Sequence, residues 1–147
     1  DVVDVVVLSA SEIAAGDVAA VTSLNLSGNK ATHQIRAVSG LLPDTLVGQT
    51  FKDNTGLVAM ALRNRHPLPY RGEYDARRQM VFDKGLVPPE VPSLLVLPLV
   101  VHDTALGALV LGSRERGAFH DAARSLLEVL ASHLAVSLSN ARMVRRL

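Results

Sequence analysis

Ser93-Leu94-Leu95-Val96-Leu97-Pro98-Leu99-Val100-Val101 leads through the polar turn His102-Asp103-Thr104 into a second apolar run, Ala105-Leu106-Gly107-Ala108-Leu109-Val110-Leu111-Gly112-Ser113. Neither run alternates apolar with polar residues, so each reads as a strand buried on both faces, and the pair as a hairpin inside a layered domain. A charged break, Arg114-Glu115-Arg116-Gly117, passes through Phe119 into an amphipathic stretch that reaches Leu147. That helix covers one face of the hairpin. The other face must hold either more core or a pocket.

The helix is expected to start near His120. At about 100° per residue, Ala123, Leu126, Leu127, Leu130, Leu134, Leu138, Ala141 and Val144 form one broad apolar face. Asp121, Arg124, Glu128, Ser132, Ser139, Arg142 and Arg146 lie opposite. Ala122, Val129, Val136 and Met143 repeat every seven residues on the shoulder, the spacing of a coiled-coil seam and more than one sheet contact requires. A homodimer through this stripe is expected. Residues 1–15 offer the competing cover for the shoulder: their Val-rich run favours a strand by propensity, yet Val2, Val6, Ser9 and Ile13 fall at helical spacing before Gly16, and a helix is expected.

Upstream, 17–26 and 31–39 read as strands around Ser27-Gly28-Asn29-Lys30, where Gly-Asn supplies the positive φ of a tight hairpin. Residues 41–53 read as loop. Thr55–Asn64 reads as a short helix capped by Asn54 or Thr55, with Leu57, Val58, Ala61 and Leu62 on one face. His66–Tyr70 is extended, and its prolines confine it to a sheet edge; 71–92 is irregular and charged.

Composition limits function. A chain of 147 residues with 48% apolar and 20% charged residues is one ordinary globular domain, and it begins at Asp1 without Met, as a piece excised from a longer protein does. A net charge of +1 gives no reason to expect nucleic acid or an anionic membrane as partner. The longest apolar run is about eight residues, far short of the roughly 20 needed to span a bilayer, and no signal peptide is visible. The domain is therefore expected to be cytoplasmic. With no Cys, disulfides, thiolate metal sites and thiol nucleophiles are excluded. No Gly-x-Ser-x-Gly elbow, Ser-x-x-Lys motif or Gly-rich phosphate loop occurs, so a nucleophile, base and orienter are not assembled and the domain is not expected to be an enzyme.

The order of elements resembles a GAF domain. Leu97-Pro98-Leu99-Val100-Val101, Leu106-Gly107-Ala108-Leu109-Val110-Leu111, Phe119 and the run from Leu126 to Ala141 are similar to that family's "PL…G.L.L…F…LL..LA…A..L.NA" pattern. Gly48 and the run from Thr55 to Leu68 resemble its "G…GL.G.AL..G.P" segment. The resemblance implies an α+β fold: a six-stranded antiparallel sheet, both terminal helices on one face, and a pocket under a covering segment on the other. It also implies a sensory or dimerising module that signals through its C-terminal helix to an output domain beyond Leu147, a diguanylate cyclase or histidine kinase. Departures from specialised branches matter. Without Cys there is no attachment point for a covalent bilin and no thiol for reduction of free methionine sulfoxide. Asn29-Lys30 continues into Ala31-Thr32-His33, so the Asn-Lys-Phe-Asp-Glu signature of cyclic-nucleotide binders is not met.

If a small molecule binds, the resemblance puts it under the 66–84 segment. His66, Tyr70, Arg71, Tyr74, Arg77 and Arg78 are the dense polar set there, and Arg with Tyr suits bidentate and stacking contacts to a planar or anionic ligand. Solvated loop charge balanced by Glu73, Asp75 and Asp83 is the plainer expectation for the same residues. His33 and His66 are the histidines placed to face a pocket, where a histidine can ligate haem iron, but a lone His is a weak signal and haem is not the expectation.

Overall fold

The computed structural model describes residues 17–86 and 89–146, with side chains up to Asn140 in the last helix. The expected helix over 1–15 lies outside the described residues, as does the side chain of Met143. Five antiparallel strands form one sheet: β1 (Val18–Ser27), β2 (Lys30–Gly40), β3 (Thr50–Lys52), β4 (Ser93–Val101) and β5 (Thr104–Ser113), in the order β3-β2-β1-β5-β4. Two helices complete it, α1 (Leu57–Asn64) and α2 (Asp121–Arg146).

Among the described residues the sheet has five strands, where six were expected. The 66–73 stretch makes only two isolated bridges to β4, Leu68↔Val96 and Glu73↔Ser93. Pro67 and Pro69 have no N–H to give a ladder, and Tyr70–Gly72 turns into a single 3₁₀ turn. The short edge strand β3 lies instead inside the stretch read as loop. β4 is the last strand in the order, which is where Pro98, paired with Ala108, is tolerated.

Both hairpin turns meet their backbone requirements. Gly28 sits at φ +62° between the paired Ser27 and Lys30, and His102 and Asp103 take positive φ between the paired Val101 and Thr104. At Gly107 the strands approach so closely that a Cβ would stand 1.9 Å from the Thr22 carbonyl oxygen. A bulge in β2 skips one residue, since Val21 pairs with Ala37 and Thr22 with Ile35. The extra residue switches side-chain parity, so Ile35 joins one face of the sheet and Ala37 the other.

One face, carrying Ala19, Val21, Leu95, Leu97, Leu99, Leu109 and Leu111, packs against Leu127, Ala131, Leu134 and Ala135 of α2. Ala131 and Ala135 let the helix backbone approach the sheet. This rotates Leu126, expected on the sheet-facing side, out to 60% exposure. The opposite face, with Val18, Ala20, Ile35, Leu94, Val96 and Val110, is covered by Val58, Ala61 and Leu62 of α1 and by Tyr74, Val81 and Phe82 of the irregular segment. The Leu57 and Val58 amides also donate to the carbonyls of Met80 and Val81, which binds that segment to the start of α1. The N-cap is Gly56 and no side chain caps the helix, so neither Asn54 nor Thr55 has the expected role; Asn54 Oδ1 instead accepts the Gly56 N–H at 2.7 Å and fixes the turn before the helix. No helix among the described residues is long and apolar enough to cross a membrane.

Candidate functional site

The irregular segment is built around Asp75. Its Oδ1 accepts the Arg77 N–H at 3.0 Å, its carbonyl accepts from the amides of Arg78 and Gln79, and its own N–H donates to Gln79 Oε1 at 2.9 Å. The Arg77 N–H does most to hold the Asp75 carboxyl below its usual value; desolvation opposes it, and the guanidinium groups of Arg77 and Arg78 add smaller lowering effects. Both arginine side chains stay almost fully exposed while pairing with it, at 3.4 and 3.8 Å.

Tyr74 is the opposite case. Its N–H donates to the Pro92 carbonyl, and its ring is buried in the core beneath the sheet. Its hydroxyl is buried and has no hydrogen-bond partner among the described residues. Burial, and then the neighbouring Asp75 charge, push its pKa up to about 12, so it remains an O–H donor throughout the physiological range.

Tyr74 and Arg77 line an open cleft of about 720 Å³ together with Glu90, Val91, Pro92, Arg114 and Arg116. The turn that brings in Arg114 and Arg116 is pinned from three sides. Ser93 Oγ donates to the Glu115 carbonyl at 2.7 Å, Ser113 Oγ accepts the Glu115 N–H at 3.1 Å, and Asp17 Oδ2 accepts the Arg114 N–H at 2.6 Å. Three guanidinium groups therefore meet two carboxylates, Asp75 and Glu90. Asp75 is already engaged, and Arg114 and Arg116 make no ion pair among the described residues. An anion suits this rim.

The sequence brought only part of this together. His66 is turned to its neighbour, Nδ1 lying 2.9 Å from the Pro67 carbonyl. Arg71 lies 5.3 Å above the exposed Tyr70 ring, a cation–π contact on the surface. Arg78 lines a separate hollow of about 280 Å³ with Lys84 and Met80. Arg114 and Arg116 were read as a charged break, and only their nearness to the end of a buried strand hinted at more.

On α2, Ala122 is exposed, and Val129 and Val136 are 54% and 50% exposed. Leu126 joins them. Together with His133 and Asn140 they stand at alternating intervals of four and three residues, the a and d positions of a heptad. The adjoining e and g positions to Asn140 are Ala123, Ser125, Leu130, Ser132, Ser137 and Ser139, none of them charged.

No curated protein matches the chain. Among solved structures, the second GAF domain of DevS from Mycobacterium smegmatis superposes with a TM-score of 0.75 at 23% identity, covering 99% of this chain and 96% of that one. The GAF domain of a phosphoenolpyruvate-protein phosphotransferase from Coxiella burnetii gives 0.80 at 20% identity, covering 99% and 84%. A GAF domain/HD domain protein from Geobacter sulfurreducens gives 0.74 at 19%, covering 96% and 92%. Likeness at this identity is likeness of fold. The sequence model of the GAF domain matches residues 1–138, and with nearly the whole chain spanned, the protein belongs to the GAF domain family.

Proposed function

We propose that this GAF domain is a non-catalytic regulatory module that binds a small anion in the cleft of Tyr74, Arg77, Arg114 and Arg116. Its occupancy is passed through α2 to an output domain, by family resemblance a diguanylate cyclase or histidine kinase. Domains of the family are in general regulatory and non-catalytic, and they occur in signalling proteins. The observation that carries the ligand reading is that three arginines, Arg77, Arg114 and Arg116, line one open cleft against two carboxylates, one of them already engaged. A bound anion gives Arg114 and Arg116 a counter-charge.

The route to α2 is short. The 113–116 turn runs directly into Phe119, which is buried beneath α2, and Gly72 lies so close that a Cβ there would stand 2.9 Å from the Phe119 Cβ. An anion that fixes Arg114 and Arg116 against Arg77 favours one seating of this turn, and with it one seating of the first turn of α2.

The test is calorimetric titration with inorganic phosphate, citrate and nucleoside mono- and diphosphates. Replacing Arg77 and Arg114 together by Ala should weaken the best binder at least tenfold, because hydrogen bonds to charged groups contribute about 1.5–3 kcal/mol each. Arg78→Ala, outside the cleft, should leave it unchanged. If no anion binds, or binding ignores the double change, the ligand reading fails.

A second reading, a ligand-free dimerisation module, is favoured by the exposed stripe of Leu126, Val129 and Val136. With Ala122, Leu126, Val129 and Val136 apolar among the a and d positions and no charged residue at e or g as far as Asn140, no e–g charge repels a second copy laid alongside in parallel.

A further inference from the structure

A second cleft, of about 370 Å³, opens at the other end of the same sheet face, between the β1–β2 hairpin, the C-terminal end of α1 and the β4–β5 turn. Its walls are apolar: Leu24 and Leu26 of β1, Leu62 of α1 and Ala105 of β5. Leu26 is 73% exposed beside it, the highest exposure of any large apolar side chain among the described residues. The polar groups are confined to two lines at the rim.

The first line is His33, Asp53 and Arg63. His33 is only 1% exposed and stacks on Phe51, with ring centroids 4.9 Å apart. Its Nε2 lies 3.2 Å from Asp53 Oδ1, and the same oxygen receives Arg63 at 3.2 Å. A carboxylate can only accept, so Nε2 carries the proton, and in the neutral ring Nδ1 is a lone pair. That nitrogen is buried without a partner, and Asp53 Oδ2 is unengaged among the described residues. The second line is Arg65 and Asp103. Arg65 donates to the Asp103 carbonyl at 2.6 Å, while the Asp103 carboxylate has no partner among the described residues. Both residues have positive φ, +52° and +64°.

From this juxtaposition we propose that the cleft is a binding site for a small zwitterion with an apolar body, an apolar α-amino acid being the simplest. Two carboxylates and two guanidinium groups at the rim cancel in net charge, so a plain anion or a plain cation meets as much repulsion as attraction. A molecule carrying both charges meets attraction at each end. Its ammonium faces the free oxygens of Asp53 and Asp103. Its carboxylate faces Arg63 and Arg65, whose forks keep donors to spare. Its side chain covers Leu24, Leu26, Leu62 and Ala105. The volume suits a ligand of that size, at the small end of binding clefts.

The inference is independent of the Tyr74 cleft, and its test keeps the two apart. The intact chain is titrated calorimetrically with L-valine, L-leucine and L-phenylalanine, and with 4-methylpentanoate and isopentylamine, which each carry one of the two charges. Amide chemical-shift changes locate the ligand. At least one amino acid should bind with Kd below about 1 mM, shifting amides near Leu26, Ala31 and Thr104, while both single-charge analogues bind at least tenfold more weakly. Asp103→Asn and Arg65→Asn should each weaken binding tenfold or more; Asn adopts positive φ readily, so neither change strains the backbone. The Arg77/Arg78/Arg114 variants should leave it alone. Absence of saturable binding by all three amino acids overturns the proposal. So does equal binding of either single-charge analogue, indifference to both Asn variants, or shifts confined to the Tyr74 cleft.

Discussion

The two faces of the β4–β5 hairpin carry equally apolar residues but are covered in different ways. On one, Leu95, Leu97, Leu109 and Leu111 meet a single periodic element, α2. On the other, Leu94, Val96, Ala108 and Val110 meet the eight-residue helix α1 and an irregular segment whose Tyr74, Val81 and Phe82 come in singly. The first cover is simple and leaves a helix surface free. The second is assembled from pieces, and both clefts lie at its margins. Where short pieces meet, the gaps between them become concave; α2 leaves one hollow of its own, about 350 Å³ beside β4 between Leu97, Pro98, Glu128 and Ser132.

The sharpest way to test this contrast is to empty one buried side chain on each side of the sheet. Leu109→Ala should cost about 2–5 kcal/mol, the usual range for a fully buried leucine. Phe82 is as deeply buried and meets Phe51 edge-on, with centroids 5.8 Å apart. Phe82→Ala should therefore cost about 3–5 kcal/mol. Denaturant unfolding of the two variants measures both. If Phe82→Ala costs less than about 1.5 kcal/mol while Leu109→Ala costs the full amount, the irregular cover is a loose lid, and the equivalence of the two faces fails.

How far the sequence revealed these faces follows from the same contrast. The continuous apolar runs of β4 and β5 require burial on both sides, and the seven-residue repeat on α2 is visible in one dimension, so the hairpin, the helix and its outward stripe were all legible. The exact rotation of α2 was not. Leu126 belongs to the apolar arc by angle alone, and only the small Ala131 and Ala135 at the contact decide that the helix turns it outward. The bulge in β2 was equally hidden, because a parity switch depends on pairing with β1 and leaves no mark in composition. β3 is three residues, too short to show a period. At the candidate site, Tyr74 and Arg77 were legible as a local cluster, whereas Arg114 and Arg116 lie nearly forty positions further along the chain. Only the strand pairing brings them together.

The free surface of α2 gives the next, smaller effect. Val136 is half exposed, so glutamate there buries no charge within one copy, and its stability should change by no more than about 0.5 kcal/mol. If Leu126, Val129 and Val136 form a seam between two copies, facing glutamates should dissociate the pair while circular dichroism and unfolding stay as in the parent. Sedimentation of parent and Val136→Glu proteins reads this directly. A monomeric parent at tens of micromolar removes the seam. Unfolding by Val136→Glu would mean that this surface is covered within the chain, because an unpaired charge would then be buried.

The smallest effect concerns one oxygen atom in the irregular cover. The Tyr74 hydroxyl is buried without a partner among the described residues, so Tyr74→Phe removes a desolvated group that makes no bond. Stability near neutral pH should stay within about 0.5 kcal/mol of the parent or rise slightly, since losing an unsatisfied polar group is neutral or favourable. Alkaline pH separates the two proteins. The folded-state pKa is raised to about 12 from the ordinary 10.0, so the unfolded chain loses this proton first. The stabilising preference for the neutral phenol is fully present below pH 10 and is lost as pH rises through about 12. By pH 11 the parent should have lost on the order of 1 kcal/mol relative to Tyr74→Phe, allowing for water at the edge of the cleft. Other groups titrating in that range are common to both proteins and cancel in the difference. Urea unfolding of each at pH 8 and pH 11 is the measurement, and a gap that does not widen with pH would mean that the phenol is solvated rather than held in the core of the irregular cover.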